Sequence, residues 1–317
     1  MKNLTEGKPL KLILLFAIPL FIGRLFDLFY TLVDTRIVGE TLGEASLAAV
    51  GATSTLSELL TGLLNGFANG AAIVVATYFG AKDNKNMKKA IGGMVFMGVG
   101  GAVLVSAFCL LILTPLLRFL NISEEILPQS QSYIRIVLAG LVAATCYHLC
   151  AAVLRAIGDS FTPLLFLILA SFLNIALDYA FILELGTGVE GAAYATVISQ
   201  ALSAVLCFLY MRRKYPLLVL TKEDWKREKE VYRKLLTTGI SMSFMTSFVN
   251  LGTFTLQTSI NTFGTNIIVA HTAARKATSV FMLPFSVLGT TLATYCGQNL
   301  GAGKYSRIRK GLRDTLL

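Results

Sequence analysis

Asp34 and Asp178 stand inside long apolar runs, where an ionisable side chain is costly and needs a reason. Asn174 precedes Asp178 by four residues, so on a helix the two share a face. Thr196 lies near the start of the next apolar run. Read as helices, the runs put Asp34 about five residues, or ~7 Å, from the end of the first, with Asp178 and Thr196 at a similar depth. Carboxylates with an amide and a hydroxyl at one level suit a proton or Na⁺. They offer oxygen ligands to a hard cation, or a carboxyl that keeps its proton because burial and a like charge oppose ionisation. Taken singly, Asp34 also reads as an interfacial residue and Asp178 as a helix-bound polar group; the set together points to function. Asp27, two turns before Asp34 on a similar face, is read as lining a cavity. Arg275 either lines that cavity or snorkels towards a headgroup. His148 falls between Cys146 and Cys150; on a helix the cysteines share a face that His148 does not, so packing is expected and no metal.

The elements that must hold these residues follow from composition. Hydrophobic residues make up 55% of the 317 and charged ones 15%, too little charge to cover a soluble domain. Apolar runs of helix-spanning length recur at about 12–38, 48–79, 91–113, 134–154, 163–183, 192–211, 235–263 and 267–300. The chain therefore reads as an all-α polytopic membrane protein with eight spans. The first run is too long for a signal peptide and lacks a clear cleavage site. Pro19 and Pro284 are the expected kinks. The net charge of +10 sits largely in alternate loops, and the richest, 212–234, contains Arg212, Arg213, Lys214 and Lys222. That asymmetry places the N-terminus, this loop and the C-terminus in the cytoplasm of a cell membrane, and it sets topology rather than marking a nucleic-acid partner. Thr221 to Asp224 reads as a capped start of a short helix near Trp225. The loop divides the chain into residues 1–211, 212–234 and 235–317: a six-span lobe, a linker and the start of a second lobe. Residues 43–89 can also be laid on 264–310 without a gap, bringing Gly80-Ala81 onto Gly301-Ala302. Such internal repeats point to transporters. Gly62, Gly66 and Gly70 make a small face for close helix packing.

Several segments resemble the MATE family of multidrug and toxin extrusion transporters, the DinF-like branch in particular. They are Ile18-Pro19-Leu20, Val33-Asp34-Thr35-Arg36, Tyr78-Phe79-Gly80-Ala81, Arg155-Ala156-Ile157-Gly158-Asp159, Leu173-Asn174-Ile175-Ala176-Leu177-Asp178 and Gly191-Ala192-Ala193-Tyr194-Ala195-Thr196, in family order. The resemblance implies a MATE-like bundle of twelve spans in two six-helix lobes, monomeric when full length. This chain stops after the eighth span and so reads as a truncated member. It implies no enzyme and no cofactor beyond the coupling ion: inward H⁺ or Na⁺ drives export of small organic, often cationic, compounds out of the bilayer-embedded cavity. The coupling-ion site implied by the resemblance falls on Asp34, Asn174, Asp178 and Thr196, with Tyr133 as an addition. Tyr179 stands where the family often has proline, so it is an accessory candidate. Alternatives are a flippase of lipid-linked precursors from the same superfamily, which should have a more cationic cavity, a membrane enzyme, for which no nucleophile–base pair is found, and an inactive fragment.

Overall fold

The computed structural model describes residues 3–120, 122–260 and 265–316. Among them the secondary structure is helical throughout: α1 (Pro9–Gly80), α2 (Asn84–Leu111), α3 (Leu113–Phe119), α4 (Leu127–Ala156), α5 (Phe161–Asp178), α6 (Val189–Lys214), α7 (Lys229–Ile260), α8 (Thr265–Gly301) and α9 (Tyr305–Leu316). A π-helical segment, Tyr179–Glu184, continues α5. Among the described residues, six stretches are long and apolar enough to cross a membrane: α1, α2, α4, α5 with its π segment, α6 and Ala277–Gly301 of α8. Large apolar side chains point away from the bundle, as a lipid-facing surface requires; Leu104 is 72% exposed and Leu111 84%.

Two of the expected elements differ. The first two runs lie on one helix of 72 residues, which if straight would reach ~108 Å, over three times a bilayer core. It is broken at Gly43, the one residue inside α1 with non-helical dihedrals (φ 82°, ψ 178°). That region is essentially closed to residues with a Cβ. Its two halves then fold together, with Val33 and Val38 meeting Val50 in one apolar cluster. Pro19, the expected kink, keeps helical dihedrals. The seventh run forms α7, but Thr237, Thr238, Ser241, Ser243, Thr246, Ser247 and Asn250 make it too polar to join the six. The glycine face of α1 packs on α7 instead. A Cβ at Gly66 would lie 2.8 Å from Ser243 Cα, and one at Gly70 2.4 Å from the Thr238 carbonyl oxygen. The cap expected at Thr221 is present: Thr221 donates to Asp224 Oδ2 from backbone and hydroxyl, at 2.7 and 2.8 Å. Asn121, Phe263 and Gly264 lie outside the described residues.

The repeat read from the sequence has a geometric counterpart. α1 and α8 both end in a Schellman turn. Lys82 and Asp83 N–H bond to the carbonyls of Phe79 and Tyr78; 221 residues later, Gly303 and Lys304 bond those of Leu300 and Asn299. Lys82 and Gly303 share positive φ, 59° and 68°. The two helix ends cross reciprocally. A Cβ on Gly80 would lie 1.9 Å from the Gln298 oxygen, and one on Gly301 1.8 Å from the Thr77 oxygen. Thr77 and Gln298 are themselves 221 apart, so the contact has the form of a two-fold axis between repeats. The N-terminal segment locks onto the same crossing. Leu4 N–H donates to Gln298 Oε1 at 3.0 Å, Gln298 Nε2 reaches the Ala156 oxygen at 2.7 Å, and Arg307 bonds the carbonyls of Leu4 and Gly7.

At the same basic end, Asp159 joins the α4–α5 turn to the end of α6. It accepts from Thr162 N–H at 3.0 Å and Thr162 hydroxyl at 2.6 Å, from the Tyr215 hydroxyl, and lies 3.9 Å from Lys214 Nζ. Burial alone would raise this carboxyl, but the Thr162 and Tyr215 hydrogen bonds and the Lys214 charge outweigh it and hold it below the usual carboxylate range. The stabilisation is therefore present above the unfolded value of about 3.9 and is lost as pH falls through the lower folded value. Asp159→Asn should lower the Tm of the purified protein at neutral pH, with the gap to the parent closing below pH about 4. Gly301→Ala should cost at least about 1–3 kcal/mol, because backbone blocks the new methyl. Gly100→Ala, with nothing within 4 Å of the added Cβ, should leave Tm unchanged or raise it.

Candidate functional site

The four residues singled out by spacing and depth come together at the end of the bundle away from Asp159. Asp34 extends from the first half of α1, Asn174 and Asp178 from the last two turns of α5, and Thr196 from the second turn of α6. The carboxyls of Asp34 and Asp178 are in hydrogen-bond contact. Asp178 has no exposed surface and Asn174 is 2% exposed. With its amide nitrogen turned to the carboxyl, Asn174 donates to Asp178 Oδ2 at 3.3 Å and accepts from Thr196 N–H at 3.2 Å, which satisfies both ends of the amide. Thr196 hydroxyl is spent on the Ala192 carbonyl at 3.0 Å. Oδ1 of both aspartates is buried and without a hydrogen-bond partner among the described residues. The walls are apolar: Ile37, Val38, Ile182 and Ala192, with Tyr133 and Ile175 against them.

The helix bond pattern changes where the site needs it. α5 ends at Asp178 and continues as a π segment from Tyr179. A wider turn of this kind re-aims the side chains beside it and is frequent at functional sites. Tyr179 therefore contributes backbone geometry, while its side chain is 50% exposed. The sequence reading missed Tyr30, which lies within electrostatic reach of Asp27, Asp34, Tyr133 and Asp178. Its signal was available, since Tyr30 precedes Asp34 by one helical turn.

Asp27 opens onto a second feature, a central cavity between α1, α4, α7 and α8. Its larger part is about 540 Å³ and includes Arg24, Asn65, Asn69, Arg155, Met242, Met245 and Thr290. The adjoining part adds Asp27, Tyr147 and His148. Arg24 and Asp27 pair at 3.6 Å, and Arg155 donates to Asn69 Oδ1 at 3.1 Å. His148 thus does more than fill the core: it lies beside Tyr147, ring centroids 5.6 Å apart, on the cavity wall. Among the described residues the cations on this wall are Arg24 and Arg155, and Arg275 is not one of them. Neither arginine was picked out from the sequence as a cavity residue. Asn65 and Asn69, four apart on one face of an apolar helix, were a readable signal.

With a bundle of this shape, a buried carboxyl pair and a polar cavity, comparison with known proteins is decisive. The MatE family model matches residues 19–180 and 241–317. The chain belongs to the MatE family. Among curated relatives, it is 27% identical over 308 residues to the "Probable multidrug resistance protein YpnP" of Bacillus subtilis, covering 96% of this chain and 68% of that protein. It is 25% identical over 317 residues to the "Probable multidrug resistance protein NorM" of Thermotoga maritima, covering 94% and 65%. A solved MOP superfamily transporter from Pyrococcus furiosus superposes with TM-score 0.93 at 26% identity, over all of this chain and 71% of its own. An outward-facing multidrug resistance MATE transporter gives the same TM-score, identity and coverage. The chain spans about two thirds of the length of the curated relatives it matches. It is a member of a multi-pass transporter family, not of an enzyme family.

The geometry separates the two α5 residues cleanly. Asn174→Leu strips a donor from the buried Asp178 and should destabilise the protein by about 1–3 kcal/mol, read as a lower Tm. Tyr179→Ala removes an exposed side chain and should leave Tm within about 0.5 kcal/mol of the parent.

Proposed function

We propose that this MatE chain serves a DinF-like antiporter in which the Asp34–Asp178 pair, with Asn174 and Thr196, holds the coupling cation, H⁺ or Na⁺, while the central cavity carries an organic compound outwards. The observation that supports it most is the contact between two carboxyls beside an apolar cluster, each with a buried oxygen that has no hydrogen-bond partner among the described residues. Two unit charges 4 Å apart repel by ~4 kcal/mol even at an effective dielectric of 20. A proton between them, or Na⁺ on their outer oxygens, removes that repulsion. Tyr133 and Tyr30 border the pair. Tyr30 and Asp27 lie on the same helix as Asp34, so a shift of this half of α1 on cation loading reaches the cavity directly. That gives cation and cargo opposite preferences for two arrangements of one helix, which is the requirement for exchange.

The names of the relatives support multidrug efflux; we read cationic compounds as part of the cargo. The charge asymmetry of the loops supports a plasma-membrane protein with its N-terminus, 212–234 and its C-terminus in the cytoplasm. We read the working unit as a monomer. The test is flux of a fluorescent organic dye in proteoliposomes under an imposed pH or Na⁺ gradient. Asp34→Asn and Asp178→Asn should each cut gradient-driven flux by about tenfold or more, a barrier change of about 1.4 kcal/mol or more. If both variants carry dye like the parent, the pair is not the coupling site.

A further inference from the structure

The two arginines of the central cavity are unequally matched. Arg24 has Asp27. Arg155 has only the Asn69 amide oxygen, and no carboxylate within ion-pair distance among the described residues. The titratable groups that interact with it most strongly are Tyr147, His148, Arg24 and Cys207, none of them a carboxylate; Asp27, on the same wall, is paired with Arg24. A guanidinium has five N–H donors in a planar fork, and one is used here. Arg155 sits in the last turn of α4, where any cation gains from the helix dipole. It nevertheless reaches across to Asn69 on α1 rather than back onto its own carbonyls. The rest of the wall near it, Asn65, Ser286 and Thr290, is polar and uncharged. With Arg24 and Asp27 cancelling, the cavity keeps one uncompensated positive charge, half-buried and open to a space of drug size. A cation left so is costly until a counter-charge arrives.

We propose that Arg155, seconded by Arg24, is an oxyanion subsite of this cavity, so that its cargo includes organic compounds bearing a carboxylate or phosphate group. The proposal rests on the cavity being the cargo site, as argued above. A carboxylate meeting the free edge of the fork makes paired charge-assisted hydrogen bonds, which favours the acid over its neutral ester by about ten- to hundredfold. A compound with a cationic centre is still accommodated, because Asp27 can exchange its Arg24 partner for the ligand once the oxyanion occupies the arginines.

The test uses rhodamine B, which has a free carboxylate, and its ethyl ester, which has the same chromophore without it. Binding of each to the purified chain in detergent is followed by fluorescence anisotropy for the parent, Arg155→Gln and Arg155→Lys. The parent should prefer rhodamine B by about tenfold or more. Arg155→Gln should abolish that preference by weakening rhodamine B alone, and Arg155→Lys should keep part of it. A parent that binds the ester as tightly as the acid overturns the oxyanion subsite and leaves the cavity as cargo site, whatever the variants do. Equal weakening of both dyes by Arg155→Gln overturns it too. Failure of the parent to bind either dye counts against the cavity as cargo site, and this proposal falls with it.

Discussion

Two carboxyls held together within the bundle are the constraint around which this chain is arranged. Asp34 and Asp178 come from different helices, in contact, inside a wall of Ile37, Val38, Ile182 and Ala192. Such a pair is unfavourable unless something positive compensates it, so the backbone must hold it in place by force of packing. Three local features do so. Gly43 breaks α1 so that Val50 packs back onto the Asp34 level. The π segment begins at the residue after Asp178. The start of α6 brings Thr196 N–H to Asn174, which in turn steadies Asp178.

The opposite, basic end of the bundle is built for rigidity. Gly80 and Gly301 bring two helix ends into backbone contact, and Gln298, Asn299 and Arg307 bind the N-terminal segment over that crossing. The central cavity lies between this closed end and the carboxyl pair, with α1 common to all three. On the proposed reading, cation and cargo act on one element, and their coupling requires no long relay.

Much of this was readable in the sequence. Asp34, Asn174, Asp178 and Thr196 were found from polarity, i,i+4 spacing and helical depth, because intramembrane polar residues are few and each has a strong physical cause. The 221-residue repeat was visible as Gly80-Ala81 on Gly301-Ala302, though its reciprocal contact was not. What escaped depended on tertiary partners. Arg24, inside the first run, has its partner Asp27 and the cavity only in the fold, and Arg155 looks like a topology signal until Asn69 meets it. Gly43, where α1 breaks, was not foreseen, because proline restricts φ visibly in a sequence while a glycine's positive φ shows only in the fold. α7 was read as apolar although its hydroxyls, such as Ser243 bonded to the Leu63 carbonyl at 2.9 Å, belong to a helix interface.

The central claim is that the Asp34–Asp178 pair holds a cation. Infrared difference spectroscopy on the purified chain at neutral pH tests it without any transport assay. Without Na⁺, the account predicts a protonated-carboxyl stretch that shifts on deuteration, is bleached by raising the pH or adding Na⁺, and disappears in both Asp34→Asn and Asp178→Asn. A spectrum with no such band, unmoved by Na⁺, or a band that persists in both variants, would contradict it.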